Sequence, residues 1–144
     1  MNQSGSSPAN DGELTNAEQA LARLREAYLD LHKTLLESER VGYEEAFGTI
    51  PSASSFLQLA IRDPWFAWLQ PLSEFITSMD ERAEGEKKLS GRDVQDFAKR
   101  GRALLTPQES GEGFARHYFD ALQRDPDVVL AHGKIAKLRF DAKS

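Results

Sequence analysis

Apolar residues recur along the chain at spacings of three and four, and alternation with a period of two is missing. Leu21, Leu24, Tyr28, Leu31 and Leu35 form the clearest stripe, one face of an amphipathic helix. Between Asn16 and Phe47 there is no proline, and Gly42 is the only glycine. The pattern predicts a helix of about thirty residues, a rod of roughly 45 Å at 1.5 Å per residue. Thr15 and Glu18 make a capping box at its start, each side chain satisfying a free backbone donor of the other. A helix of that length runs the whole of a bundle and acts as its spine.

Gly48 and Pro51 end this helix, and Ser52, Ser54 or Ser55 can start the next. Phe56, Leu57, Leu59, Ala60 and Ile61 read as its apolar side. Asp63-Pro64 offers a fresh N-cap followed by proline in the first turn, where no donor is needed. The alternative is one helix kinked at Pro64. Trp65, Phe66, Trp68, Leu69, Leu72, Phe75, Ile76 and Met79 make up the most apolar stretch of the chain. Pro71 lacks a donor and crowds the carbonyl four residues back, which predicts a bend near Ala67.

Residues 80–89 are charged and include Gly85, so they read as an exposed loop. Ser90 with Asp93 is a weaker capping signature ahead of Val94, Phe97, Gly101 and Leu104, a short helix ending near Leu105. Thr106-Pro107-Gln108-Glu109 is again a capping box, and predicts a helix burying Phe114, Tyr118, Ala121 and Leu122. Asp125-Pro126 opens the last helix, with Val128, Ala131, Ile135 and Leu138 inward. The expectation is an all-α protein: a four- to five-helix up-and-down bundle formed by a single domain, 16–144. Residues 1–15, rich in Ser, Gly, Asn and Pro, have little to bury and are expected to be a disordered tail.

Composition narrows the function classes. A chain of 144 residues can bury a self-sufficient core. It has no cysteine, which removes disulfides, thiolate zinc sites and cysteine nucleophiles. Eighteen basic against 23 acidic residues leave a net charge of −5, which disfavours nucleic acid and anionic membranes as partners. No apolar run approaches the roughly 20 residues that span a bilayer, and the first residues lack the basic and apolar segments of a secretory signal. A cytoplasmic location is expected.

The candidate chemistry is sparse. His32 lies inside the apolar stripe of the long helix, and Glu39, seven residues on, falls near the stripe's centre. A histidine and a carboxylate on one inward face is how bundle metal sites begin. His117, three residues before Asp120, and His132 on the last helix would add ligands only if the fold brought them to His32. The Glu-x-x-His pairs of di-iron bundles are absent, and no Gly-x-Ser-x-Gly elbow or dinucleotide fingerprint is present. Glu39 itself must be answered, because an unpaired buried carboxylate costs several kcal/mol. The plainest answer is a stripe that already faces water there. An ion pair with a basic side chain or His32 comes next, and a transition metal last.

Two further clusters stand out. Lys99, Arg100 and Arg102 sit near the end of the third helix, where they complement the helix dipole. Residues 126–144 carry four basic and two acidic side chains, but residues 107–124 make a poor recognition helix, so nucleic acid is not expected. Trp65, Phe66 and Trp68 point in different directions on any single α-helix, so some aromatic surface must be covered by another element, a ligand or a partner. Together with Phe75 they are the candidate interface or ligand pocket. The function these features suggest is a non-catalytic binding and assembly role through protein–protein contacts, as a homodimer, with no cofactor. The alternative is a metal- or small-molecule-binding bundle using His32 and Glu39.

Overall fold

The capping box at the head of α1 (Asn16–Phe47) is formed as its residue types dictate. The Glu18 amide donates to Thr15 Oγ1 at 3.1 Å and the Thr15 amide to Glu18 Oε1 at 2.7 Å. The structure, a computed structural model, describes residues 15–140. The expected tail therefore lies outside the described residues, except for Thr15. The 32 residues of α1 make a rod of about 48 Å, ended by Gly48 at φ 101°.

Five more helices and a 3₁₀ segment surround α1: α2 (Ala53–Arg62), the 3₁₀ segment Pro64–Leu69, α3 (Gln70–Glu84), α4 (Gly91–Leu104), α5 (Phe114–Arg124) and α6 (Pro126–Ala136). Among the described residues there is no strand. Helices α3, α4 and α6 pack on α1, α5 packs on α6 and the 3₁₀ segment, and α2 packs mainly on the 3₁₀ segment. The core runs along α1 from Ala17 to Leu35. It takes in Leu72 and Met79 of α3, Val94 of α4, Tyr118 of α5 and Val128 of α6. The described residues thus form six α-helices rather than four or five, mainly because residues 53–84 divide into three pieces.

Two prolines cause that division. Pro64 begins the 3₁₀ segment behind the Asp63 cap, whose carboxylate accepts from the Trp65 amide at 2.9 Å. Pro71 sits in the first turn of α3, and its ring would collide with the Ala67 carbonyl in a continuous α-helix. The chain between them tightens into 3₁₀ geometry, and the Gln70 amide donates to the Ala67 carbonyl three residues back.

Two expected boundaries move. α3 continues to Glu84, through the stretch expected to be a loop, because Arg25 of α1 pairs with Asp80. Arg82 also closes the turn that follows, donating to the Lys87 and Lys88 carbonyls. The capping box at Thr106 is not used. Thr106 Oγ1 donates back to the Arg102 carbonyl at 2.9 Å, and Gly111 and Gly113 adopt φ of 90° and 100°. Those two residues cannot continue a right-handed helix, so α5 starts only at Phe114.

Candidate functional site

In a 3₁₀ helix, residues three apart lie directly above one another. This settles where the aromatic run points. Phe66 and Leu69 share the inward side and are 2% and 3% exposed, while Trp65 and Trp68 share a half-buried edge. Trp65 Nε1 donates to the Glu39 carbonyl of α1 at 3.2 Å. Trp68 stacks on the exposed His117 ring, centroids 5.2 Å apart and planes 16° apart, and also meets Phe114. Phe75 is a core residue, edge-on to Tyr28 at 5.0 Å. Of the four residues expected to form an interface or ligand pocket, Phe66 and Phe75 are enclosed by the fold itself, and Trp65 and Trp68 remain half-buried at its edge.

The exposed apolar surface lies beside them. Tyr43 and Phe47 at the end of α1 meet Trp65, with Phe47–Trp65 centroids 5.8 Å apart. Tyr43 also approaches Phe66, which holds Phe56 of α2 at 5.8 Å. This aromatic cluster is the mount for α2. On α2, Phe56, Leu59 and Ala60 are partly covered, yet the helix has no buried residue. Leu57 and Ile61, expected to be inward, are 58% and 67% exposed, and Phe47 is 67% exposed. Sequence reasoning missed Leu57 and Ile61 because it treated the apolar side of α2 as a single face. Phe56 and Ala60 lie about 100° around the helix from Leu57 and Ile61, and Phe56 is the α2 side chain whose ring meets the cluster.

The four candidate metal ligands do not converge. His32 Nε2 lies 2.8 Å from Ser73 Oγ on α3, and burial keeps the His32 ring below its ordinary pKa. Glu39 is 9% exposed, so the expectation that it faces water is overturned. It pairs with Arg124 at the end of α5, whose Nη2 donates to Glu39 Oε2 at 2.7 Å and whose Nε donates to Ser38 Oγ at 3.2 Å. His117 is taken up by Trp68. His132 Nδ1 lies 2.6 Å from the Tyr118 hydroxyl. Burial raises the Tyr118 pKa and lowers that of His132, so both partners of this hydrogen bond are held in their neutral forms. Among the described residues, no group of three or more His, Asp or Glu side chains is placed to hold a metal ion. None of their helices is long and apolar enough to cross a membrane.

Comparison with protein-family models, with curated proteins and with solved structures gives no match.

Proposed function

We propose that this protein is a binding and assembly module that acts through protein–protein contacts, as a homodimer, with the α2 end of the molecule as the contact surface. The carrying observation is α2 itself, a helix without a buried residue that displays Leu57 and Ile61 next to the aromatic mount bearing Phe47. Exposed apolar patches of a few hundred Å² mark interaction sites. These three side chains expose on the order of 300 Å² per copy. Two copies covering each other would bury about 600 Å² of apolar surface, less than the roughly 1,200–2,000 Å² of stable complexes. An area of that size fits a weak, reversible and concentration-dependent dimer rather than an obligate one.

Sedimentation velocity over a range of micromolar concentrations tests this. The wild type is expected to shift from monomer to dimer, and Leu57→Asp/Ile61→Asp to stay monomeric with unchanged helix content. A wild type that remains monomeric at the highest concentration, or a variant that dimerises equally well, refutes the reading.

A further inference from the structure

Two basic stretches far apart in the sequence become neighbours in the fold. Arg92, Lys99 and Arg102 follow one stripe of α4, and Arg139 lies in the segment after α6. Between α4 and that segment runs a groove of about 410 Å³, with Arg102 and Arg139 on its rim and Ala98, Ala136 and Leu138 among its walls. A second hollow of about 400 Å³ joins Arg92, Lys99 and Arg102. A third, about 310 Å³, lies between Arg102 and the apolar Leu105, Pro107 and Ile135. Arg102 belongs to all three.

Among the described residues, Arg92, Lys99 and Arg102 form no ion pair. Arg139 forms none either, and its guanidinium donates to the Ala136 and Leu138 carbonyls at the end of α6, which holds it beside the groove. The helix dipole accounts for Arg102 in the last turn of α4, but it disfavours Arg92, which sits in the first. In a chain of net charge −5, an unpaired basic stripe over an apolar floor has the character of a binding surface.

We propose that the α4 groove binds an acidic peptide segment of a partner protein, with carboxylates on Arg92, Lys99, Arg102 and Arg139 and an apolar side chain between them. Arg92 and Arg102 are ten residues apart on the helix, about 15 Å, a span that five residues of extended peptide cover. Alternate side chains of such a segment face the same way, which matches cations spaced along a single stripe. The groove suits a phosphodiester backbone less well. The Phe140 ring, which a base would stack on, carries the Arg23 guanidinium at 5.1 Å. This surface belongs to different elements from the α2 end and does not depend on dimerisation.

The test uses the full chain and a fluorescein-labelled peptide, Glu-Leu-Asp-Glu-Leu-Asp-Glu-Leu-Asp, followed by fluorescence anisotropy. Its counterpart with Gln and Asn in place of the acids is the neutral control, and a single-stranded DNA 20-mer is the comparator. Saturable binding of the acidic peptide, about tenfold or more tighter than the neutral one and weakened several-fold by raising salt from 50 to 300 mM, is expected. Arg102→Glu/Arg139→Glu should lose that binding, and Lys33→Glu, on another face, should keep it. Amide shifts of the wild type on adding peptide should cluster on α4 and residues 135–140, a readout independent of any variant's folding. Absence of saturable binding, equal affinity for the neutral peptide, tighter binding of the DNA, or shifts confined to other helices overturns the proposal.

Discussion

Gly101 is where α4 lies closest to α1, and replacing it by alanine asks how tightly that contact is packed. A Cβ there would stand 2.1 Å from the Tyr28 hydroxyl oxygen, 2.6 Å from its Cζ and 3.1 Å from Cε2 of Phe75. Tyr28 is fully buried, so its ring has no room to swing away and the helices must part. Forcing a methyl into such a core costs about 1–3 kcal/mol, and contact with two rings places this case at the upper end. Alanine returns about 1 kcal/mol of helix propensity, leaving a net loss of about 2 kcal/mol. For a chain of this size that lowers Tm by roughly 6–8 °C. Gly133 of α6 is the internal control, because a Cβ there meets nothing within 4 Å. The same substitution should then add about 0.5–1 kcal/mol and raise Tm by a few degrees. Adding Tyr28→Phe to Gly101→Ala removes the 2.1 Å contact but not the 2.6 Å one, and should recover part of the loss. Thermal unfolding followed by far-UV circular dichroism measures all four proteins. A Gly101→Ala protein as stable as the wild type would refute this account of the α1–α4 contact.

Three other outcomes follow from the same geometry. Breaking the Glu39–Arg124 pair should be asymmetric in urea titrations. Glu39→Gln leaves a 44%-exposed arginine that water can solvate, and should cost about 1 kcal/mol. Arg124→Met strands a carboxylate that is only 11% exposed, and should cost about 2–3 kcal/mol; equal costs would contradict the pairing. Burial holds His32 and His132 below the ordinary value of 6.5, so the unfolded chain takes up protons first as pH falls. Stability should be full above about pH 6.5 and decline below it, and calorimetry of His32→Gln/His132→Gln should show a shallower decline between pH 6.5 and 5. Phe66→Ala should cost about 3–5 kcal/mol as a core truncation, whereas Phe47→Ala in the dilute monomer should stay within about 0.5 kcal/mol.

Local chemistry made much of the fold legible in advance. The stripe Leu21–Leu35, the capping boxes at Thr15 and Ser90 and the Asp-Pro pairs at 63 and 125 each act within one or two turns, and each operates as read. What escaped depends on residues far apart or on competition between local signals. Arg124, the partner of Glu39, is 85 residues away, and no periodicity points to it. Thr106 carries a good cap, but the conformations of Gly111 and Gly113 and a bond to the Arg102 carbonyl outweigh it. The aromatic run was assigned the α-helical period, whereas Pro64 and Pro71 impose the 3₁₀ one. That change of period turns Phe66 inward and leaves Trp65 and Trp68 together at the edge. The exposure of Leu57 and Ile61 was hidden for a simpler reason: a sequence shows that a face is apolar, not whether the rest of the chain is wide enough to cover it.

The mounting of α2 has a consequence for how any partner is felt by the chain. Ordering ten backbone residues costs about 1–2 kcal/mol each, and α2 offsets this only through Phe56, Leu59 and Ala60 against the 3₁₀ segment and the aromatic cluster. Its amides should therefore open and exchange with solvent far more readily than those of α1, as a separate unit at the low end of the local stability range. A contact that covers Leu57 and Ile61 supplies apolar burial that the helix otherwise lacks. Were two copies to meet at this surface, association would slow the local opening of α2 without changing its helix content, and amide exchange there would depend on protein concentration.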